Sequence, residues 1–474
     1  MTGHRIGDMS FDYMFNPRSI AVIGASSAMH NAATNLFIDS MLAFGYKGKI
    51  YPINPNESEV RGLKVYANVR DVPGPVDHVI SAIPAKMIPQ LLDDCKAKGV
   101  KTLHLYTAGF AETGIDDRGD MQHSLAEAAR GSGVRILGPN CMGIYCPSSG
   151  VTFCPDFPRE PGNVSFISQS GSYSLLVVRG AGARGVRFSK MVSYGNASDI
   201  DECDLIEYLG NDAETKVVAA YIEGTKDGHR LRKVLTEAAS KKPVIIIKKG
   251  GTEAGKRGAS SHTGAMAGND KAWDALIKQA GAIRADDFEE MIDLLATFQF
   301  LPLPKSKKAV LIGIGGGPSV RSADDCERAG LILSPIPDDM VAELRKTAPV
   351  AGSMLRNPVD IGAYHMDWTP VIQTLAKWSE NDMFIWQIAP DIEPFAVDGF
   401  LRQFCIDQRT RFLGDFLKAG KPLAVVVHMN ERREASDILH LTREQCLKNN
   451  VAFYTSVERA ARAIVKVIDY HANR

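Results

Sequence analysis

The stretch SIAVIGAS, residues 19–26, decides the fold class of the first part of the chain. Its apolar run is typical of a buried strand, and Gly24 and other small residues follow it at once. Four similar runs follow at intervals of roughly 25 to 30 residues, a spacing that suits βαβ units. They are KIYPINP (49–55), HVISAIP (78–84), TLHLYTAG (102–109) and VRILGPN (134–140). Helix-like segments lie between them, so we predict a parallel sheet with helices on both faces.

The same pattern recurs twice more along the chain. Beyond a proline-rich bridge, four apolar runs again end in glycine or small polar residues, at 163–174, 188–196, 216–224 and 242–250. LPLPKSKK is typical of a linker, and KAVLIGIGGGPSV (308–320) opens a third block of similar plan. We therefore predict three doubly wound α/β domains, which span residues 10–147, 160–300 and 306–474.

The overall composition excludes several classes of function. The 55 basic and 55 acidic side chains give a formal net charge of zero, so we predict no nucleic-acid or membrane partner. No apolar run approaches the roughly 18 residues of a membrane span, and the first residues lack the features of a signal peptide. The eight cysteines are scattered, which predicts reduced thiols in a cytoplasmic protein. No grouping of His, Cys and carboxylate residues predicts a metal site.

Small and polar residues follow each strand of the first block, at the edge where open α/β sheets bind ligands. The candidate ligand-binding residues are Gly24, Ala25, Ser26, Ser27, Asn54, Pro55, Ile83, Pro84, Thr107, Ala108, Gly109 and Asn140. The loop at Gly24 lacks the full GxGxxG pattern, and any of these residues alone is equally typical of a turn. Together they indicate a crevice for an extended nucleotide.

Two features of the second block point to phosphate chemistry. Ser170, Gly171 and Ser172 lie in SQSGS, directly after a strand, and favour two interpretations equally. One is a helix start that binds phosphate, and the other is an ordinary helix cap. Glu223 ends the strand VVAAYI, where a carboxylate is most often simply solvated. It gains a role if it faces an imidazole, because a carboxylate on one ring nitrogen leaves the other nucleophilic.

The natural candidate for that imidazole is His262, in a loop of small residues that follows the next strand. A purely structural histidine is the commoner case for one isolated residue in a loop. No second ligand lies at metal-binding spacing, and no GxSxG elbow indicates a serine hydrolase. Covalent catalysis on phosphorus remains, and it needs slender surroundings and several hydrogen-bond donors. The small residues around His262, including Gly264, and the SQSGS helix start would supply both.

Taken together, these motifs resemble the NDP-forming acyl-CoA synthetases, the superfamily of succinyl-CoA synthetase, and in particular their ADP-forming acetyl-CoA synthetase α subunits. GPNCMGIY (138–145) is similar to the Rossmann-like CoA-binding domain of that family. The ordered series SYGN (193–196), YIEG (221–224) and SSHTGA (260–265) is similar to its flavodoxin-like ligase domain. NPVDIGA (357–363) is similar to a second flavodoxin-like domain. The resemblance covers nearly the whole chain.

The resemblance implies an acid–CoA ligase that reversibly converts acyl-CoA, ADP and phosphate into acid, CoA and ATP. It implies that His262 is phosphorylated, that Glu223 orients it and that Ser170–Ser172 stabilise the phosphoryl group. CoA would bind at the strand ends of the first block. Because no segment resembles an ATP-grasp domain, the resemblance also implies a separate β subunit that binds ADP or ATP and Mg²⁺, in an α2β2 assembly. GIGGGPSV (313–320) departs from the Asn-Ala-Gly-Gly type of loop expected in the third domain.

Two alternative functions belong to other classes. The first is a regulatory protein that binds CoA or acyl-CoA without ligase turnover, and such a protein needs neither His262 nor Glu223. The second is an NAD-dependent dehydrogenase, which predicts an acidic residue at the end of the second strand to bind a ribose. Asn54 and Asn56 stand there instead, with Glu57 only beyond them.

Overall fold

The fold is taken from a computed structural model of the chain, which divides into two compact units, residues 1–291 and 292–474. The structure describes residues 11–27, 32–250, 252, 270–313, 315–348, 353–360, 367–388, 399–429 and 433–474.

The first sheet contains five parallel strands in the order β2-β1-β5-β6-β7. Its strands and the hairpin β3–β4 are β1 Ser19–Ile23, β2 Lys49–Ile53, β3 Glu59–Val60, β4 Leu63–Lys64, β5 His78–Ser81, β6 Thr102–Leu105 and β7 Arg135–Leu137. Four helices accompany them: α1 Asp12–Phe15, α2 Ala32–Phe44, α3 Ile88–Lys98 and α4 Asp116–Ala129. Strand β1 is buried along its whole length, which explains its unbroken apolar sequence.

The second sheet has six strands in the order β13-β12-β11-β9-β10-β8. They are β8 Gly143–Tyr145, β9 Val164–Ser168, β10 Phe188–Ser193, β11 Val217–Ile222, β12 Val244–Lys248 and β13 Ile283–Arg284. The helices of this part are α5 Gly171–Ala183, α6 Glu202–Asn211, α7 Gly228–Ala239, α8 Asp270–Gln279 and α9 Phe288–Phe300. All strands run parallel except β8, which pairs antiparallel with β10. The sequence motif GPNCMGIY, which contains β8, follows directly after β7, the last strand of the first sheet. Strand β8 nevertheless pairs with a strand of the second sheet.

The second unit contains one six-stranded sheet in the order β15-β16-β14-β17-β18-β19. Its strands are β14 Ala309–Gly313, β15 Met354–Leu355, β16 Val359–Asp360, β17 Met383–Ile388, β18 Leu423–Val427 and β19 Ala452–Tyr454. Its helices are α10 Gly316–Ala329, α11 Asp338–Leu344, α12 Thr369–Ala376, α13 Gly399–Lys418, α14 Arg433–Lys448 and α15 Val457–Ala472. Trp368 stacks on Phe412 with ring centroids 4.9 Å apart and packs in the same apolar core as Trp386.

The three sheets, parallel except for β8 and β15, confirm the predicted α/β fold class, and the apolar runs predicted as strands all contain strands. The hairpin and the two-residue strands β13 and β15 were not predicted, because two residues are too few to give a periodic pattern. No helix in the described ranges is both long and apolar enough to cross a lipid bilayer. The seven cysteines whose side chains the structure describes are free thiols.

Candidate active site

The predicted nucleotide-binding residues lie at the carboxyl edge of the first sheet, where hydrogen bonds join neighbouring strand ends. The Asn54 side chain donates to the carbonyl of Ala25 (2.7 Å). The Thr107 hydroxyl donates to the carbonyl of Ile83 (2.8 Å), and the backbone N–H of Asn140 donates to the carbonyl of Thr107 (3.0 Å). The structure therefore brings residues from all five strand ends to one edge, as parallel strands require.

Backbone conformation explains the small residues at this edge. Gly24 and Gly109 have φ values of +86° and +101°, a region that disfavours residues with a Cβ atom. Asn140 has φ +57°, which asparagine tolerates better than most residues. Side chains that a ligand could contact are exposed at four of the predicted positions: Ser27, Pro55, Pro84 and Ala108.

Glu57 occupies the turn after β1 in a way that the sequence analysis did not predict. Its carboxylate accepts hydrogen bonds from the backbone N–H of Ser27 (3.0 Å), the hydroxyl of Ser26 (2.9 Å) and the hydroxyl of Ser27 (2.8 Å). These hydrogen bonds lower the pKa of Glu57. The turn therefore already binds carboxylate oxygens through a backbone N–H and two hydroxyls, which is the donor set that phosphate oxygens also need.

The second sheet presents its own row of functional groups at its carboxyl edge. Four neighbouring parallel strands, β10, β9, β11 and β12, end side by side. Tyr194, Gln169 and Glu223 come directly after the first three strands, and Lys248 is the last residue of β12. All four side chains are at least nine-tenths buried.

Gln169 fixes the backbone that carries Glu223. Its side-chain oxygen accepts hydrogen bonds from the backbone N–H groups of Glu223 (2.7 Å) and Gly224 (3.2 Å). The backbone N–H of Gln169 donates to the carbonyl of Tyr221 (3.1 Å). Gln169 therefore contacts β11 and the residues after it through both its backbone and its side chain. The Glu223 carboxyl group is thereby held at the strand end, with 7% of the residue exposed.

The three predicted phosphate-binding residues Ser170, Gly171 and Ser172 form the start of helix α5. Ser170 is the N-cap residue, but its side chain makes no capping hydrogen bond. The alternative of an ordinary side-chain cap is therefore not what the structure contains. A Cβ atom at Gly171 would lie 2.7 Å from the Met142 side chain, so this position needs glycine because another loop packs closely against the helix start.

Burial shifts the protonation of the groups around Glu223. Desolvation is the largest cause of the raised pKa of Tyr194, with further contributions from Glu202 and Glu223. Desolvation and the charge of Asp201 raise the pKa of Glu202 to about 7. Burial lowers the pKa of Lys248, whose ammonium lies 5.4 Å from the ring centroid of Trp273. Glu202 is therefore partly protonated near neutral pH.

The predicted residues His262 and Gly264 lie outside the described residues. Strand β12 ends at Lys248, which pairs in register with Ile222 of β11. Glu223 comes next after Ile222, so Lys249 and Gly250 follow β12 beside the strand end that holds Glu223.

The carboxyl edges of the first two sheets are joined directly through Asn196. Its backbone N–H donates to the carbonyl of Pro139 (3.0 Å), and its side-chain oxygen accepts from Asn140 (3.4 Å). The N–H of Met142 donates to the hydroxyl of Ser193 (3.2 Å). A Cβ atom at Gly195 would lie 2.3 Å from the Pro139 carbonyl oxygen, so only glycine allows this approach. The residues that follow strands β7 and β10 are therefore in direct contact.

A cavity of 1510 Å³ lies elsewhere in the first unit, and none of the predicted site residues lines it. Its walls carry ion pairs between Arg135 and Asp199 (2.9 Å), Arg135 and Asp204 (2.9 Å), and Arg230 and Asp201 (3.4 Å). Because these charges already pair with one another, the strand ends and not this cavity define the candidate active site.

Two family models match the part of the chain that carries the first two sheets. Residues 18–147 match a CoA binding domain, and residues 161–298 match a succinyl-CoA ligase like flavodoxin domain. The chain is 41% identical over 350 residues to the α subunit of ADP-forming acetate–CoA ligase II of Pyrococcus furiosus, covering 74% of this chain and 76% of that protein. It is 35% identical over 471 residues to the α subunit of ligase I of the same organism, covering 96% of each.

A solved structure agrees with these similarities. The acetyl-coenzyme A synthetase 1 of Ca. Korarchaeum cryptofilum, solved with phosphate and ADP, superposes with a TM-score of 0.82 at 29% identity, covering 98% of this chain and 97% of that one. The chain therefore belongs to the NDP-forming acyl-CoA synthetases, in the group of ADP-forming acetate–CoA ligase α subunits. This membership favours a ligase over a dehydrogenase, even though Glu57 does reach the first turn.

Four residues of the candidate site were missed by the sequence analysis: Gln169, Tyr194, Glu202 and Lys248. Gln169, Tyr194 and Lys248 lie at strand ends within the apolar runs given above. Their position at the carboxyl edge of the sheet could therefore have identified them as candidates. Glu202 begins helix α6, and nothing in the local pattern distinguishes it from a solvated helix start.

Proposed function

We propose that this chain is the α subunit of an ADP-forming acid–CoA ligase. It would catalyse the reversible conversion of acyl-CoA, ADP and phosphate into a carboxylic acid, CoA and ATP. The observation that carries the proposal is the direct hydrogen bonding between the two sheet edges through Asn196. A CoA molecule that reached Asn140 would therefore lie next to Asn196, two residues beyond Tyr194.

The chemistry would proceed in two steps on this chain. Phosphate attacks the thioester carbonyl, the C–S bond breaks, and CoA leaves with the acyl phosphate formed. A ring nitrogen of His262 then attacks phosphorus, the P–O bond to the acyl group breaks, and the carboxylic acid leaves as its carboxylate. Glu223 would accept a hydrogen bond from the other ring nitrogen and so keep the attacking nitrogen unprotonated. The start of helix α5, at Ser170, Gly171 and Ser172, would stabilise the phosphoryl oxygens together with Gly264.

CoA would be held along the first sheet edge by the twelve predicted residues at its strand ends. The exposed side chain of Ser27 and the neighbouring Ser26 hydroxyl would offer hydrogen-bond donors for a phosphate group of CoA. Glu57 accepts from the same donors, so a phosphate at this turn would have to displace its carboxylate.

The final transfer from phosphohistidine to ADP would need a partner. The relatives in Pyrococcus furiosus are named α subunits, which supports a separate β subunit. We infer that this partner is an ATP-grasp protein that binds ADP or ATP and Mg²⁺, that the assembly is α2β2, and that it works in the cytoplasm. Acetate is the acid in the names of these relatives and is the first acid to test.

A labelling experiment tests the proposal directly. The full chain is incubated with acetyl phosphate labelled with ³²P, and protein-bound label is tested for the acid lability and base stability of phosphohistidine. We expect label on the wild-type chain and on the control variant His229→Ala, whose imidazole is exposed, and none on His262→Ala.

Two results would contradict the proposal. Label that persists in His262→Ala would assign the phosphoryl group to another residue. A wild-type chain that binds CoA but takes no label, even with the ATP-grasp partner and labelled ATP, would favour the regulatory CoA-binding protein instead.

A further inference from the structure

The turn after β1 holds a carboxylate that the chain itself supplies. One oxygen of Glu57 accepts from the hydroxyl of Ser26 (2.9 Å) and the backbone N–H of Ser27 (3.0 Å), and the other accepts from the Ser27 hydroxyl (2.8 Å). The backbone N–H of Ser27 is the largest cause of the lowered pKa of Glu57, followed by the two hydroxyls. The donors of this turn are therefore already occupied by an anion.

Both sides of this contact are fixed independently of the Glu57 side chain. Strands β1 and β2 pair in register up to Ile53, and the N–H of Gly24 donates to the Ile53 carbonyl (2.9 Å). The Asn54 side chain donates to the carbonyl of Ala25 (2.7 Å) and accepts from the N–H of Asn56 (3.0 Å). The turn is therefore preformed, and its donors can serve any anion that takes the place of the carboxylate.

A second carboxylate at the same sheet edge is held in a different way. Glu112 accepts from the backbone N–H groups of Gly109 and Phe110 and from the side chain of Asn196 (2.6 Å), which follows a strand of the second sheet. Among the described residues, Glu57 accepts hydrogen bonds from the turn alone, and no cationic side chain adds to its lowered pKa. Of the two carboxylates, Glu57 is therefore the one that a ligand can replace.

The proposed reaction brings two kinds of phosphate group to this chain. Inorganic phosphate is a substrate, CoA carries phosphate groups of its own, and both offer the oxygen acceptors that the turn binds. Two anions cannot share one set of donors, so either of them has to displace Glu57. A group attached to the chain competes like a ligand at about millimolar concentration, the usual effective concentration for a short flexible tether. Free phosphate has only the turn to contact, whereas CoA also contacts the other strand ends.

We propose that Glu57 is a specificity-determining residue of the CoA site. Its carboxylate occupies the turn at Ser26 and Ser27 against inorganic phosphate, while CoA displaces it because contacts along the rest of the sheet edge compensate for the lost hydrogen bonds. This inference rests on the proposed function. It gives the chain a way to keep one substrate of the reaction out of the site of another.

The test measures CoA binding to the full chain by titration calorimetry, with and without phosphate. Glu57→Gln is compared with wild type and with Glu59→Gln, which removes an exposed carboxylate two residues away. Phosphate is added at about 10 mM, above the effective concentration of the tethered carboxylate, and chloride keeps the ionic strength equal. Binding is measured without turnover, so phosphate acts here only as a competitor.

We expect opposite changes in the two buffers. Without phosphate, Glu57→Gln should bind CoA about 3- to 10-fold more tightly than wild type, because an amide is the weaker acceptor and does not repel a phosphate group. With phosphate, the variant should lose most of this gain. Wild type and Glu59→Gln should change by less than about twofold between the buffers, since their turn is already occupied.

Dephospho-CoA, which lacks the 3′-phosphate, shows which group of CoA takes the place of Glu57. If the turn binds the 3′-phosphate, Glu57→Gln should bind dephospho-CoA no more tightly than wild type does. If the turn binds the pyrophosphate, the gain in affinity should be the same for both ligands.

The outcomes separate this inference from the proposed function. Weaker CoA binding by Glu57→Gln would show that the carboxylate is itself a ligand of CoA, and an equal response of variant and wild type to phosphate would show that it excludes nothing. Either result would overturn the role of Glu57 while CoA binding stands. A wild-type chain that binds no CoA in either buffer would instead overturn the proposed function.

Discussion

The second and third sheets both carry buried polar side chains where their strands end, but they satisfy these groups differently. In the third sheet, the side-chain nitrogen of Gln387 donates to the hydroxyl of Ser319 (3.0 Å). Its oxygen accepts from the hydroxyl of Ser322 (2.7 Å) and lies 3.3 Å from Nε2 of His428. In the second sheet, the buried hydroxyl of Tyr194 has no partner in the described part of the chain.

The difference separates a closed polar network from an open one. A network whose members satisfy one another rigidifies the fold and leaves nothing for a ligand. An open one costs stability and calls for an explanation. The first glycine of GIGGGPSV fits the first case, because a Cβ atom at Gly313, the last residue of β14, would lie 2.3 Å from the Gln387 side chain. At least one of those glycines therefore serves packing.

The largest expected effect lies at the open edge. Replacing Glu223 by Gln keeps the size of the side chain but removes its charge, so the His262 ring would lose its orienting carboxylate. We expect the rate of His262 phosphorylation to fall about 10²- to 10³-fold, as for other preorganised electrostatic groups. Single-turnover labelling measures this rate, with the exposed Glu237→Gln as control. A loss of rate smaller than about tenfold would show that Glu223 does not orient His262.

The second prediction concerns pH and Glu202. Its pKa is raised from 4.5 to about 7 in the folded chain, so the unfolded state loses the proton first as pH rises. Stability contributed by the neutral carboxyl is full below pH 4.5 and is lost between pH 4.5 and about 7. The integrated loss is about 3 kcal/mol.

Glu202→Gln should cancel this loss because the amide does not titrate. Urea unfolding at pH 4.5 and pH 8 would show wild type losing more stability than the variant over this interval. A difference between the two proteins that does not depend on pH would mean that Glu202 is ionised throughout, and the open edge would then hold two full negative charges.

The third prediction tests the closed edge. Gln387→Leu leaves the hydroxyls of Ser319 and Ser322 buried without their shared partner, so we expect the second unit to lose about 2 kcal/mol of unfolding free energy. Phosphorylation of His262 should not change. Urea unfolding and labelling would be compared with the exposed Gln403→Leu. If Gln387→Leu has normal stability but its His262 is phosphorylated slowly, the network around Gln387 contributes to the active site and not to stability.

The smallest effect is expected at His428. Burial is the largest cause of its lowered pKa, and the charge of Arg321 adds to it. The neutral ring therefore contributes stability that is present above pH 6.5 and is lost as pH falls through the folded pKa. His428→Gln should flatten this acid loss in urea unfolding of the second unit, while the exposed His440→Gln should not. An unaltered pH dependence would show that His428 is not held by the network.

Much of the fold could be predicted because each sheet is made of long, fully buried strands that leave an apolar run in the sequence. The candidate positions at strand ends followed from the same pattern, since parallel strands finish at one edge. The contacts of Gln169 and Tyr194 could not be predicted in this way. Whether a side chain is bonded or unpartnered depends on neighbours far along the chain, such as Gln169 and Glu223 at a separation of 54 residues, and no local pattern contains that information.

The sequence by itself determined the α/β class, the shared edge at which the strands end and the positions of Ser170 and Glu223 at that edge. Only the tertiary structure decided that β8 joins the second sheet, that Glu57 returns to the turn after β1 and that the Tyr194 hydroxyl is buried with no hydrogen-bond partner in the described part of the chain. The first group depends on the pattern of apolar residues along one segment, because a buried strand requires apolar side chains along its length. The second depends on pairing between distant segments, and the free energy of such contacts exists only once the chain has folded.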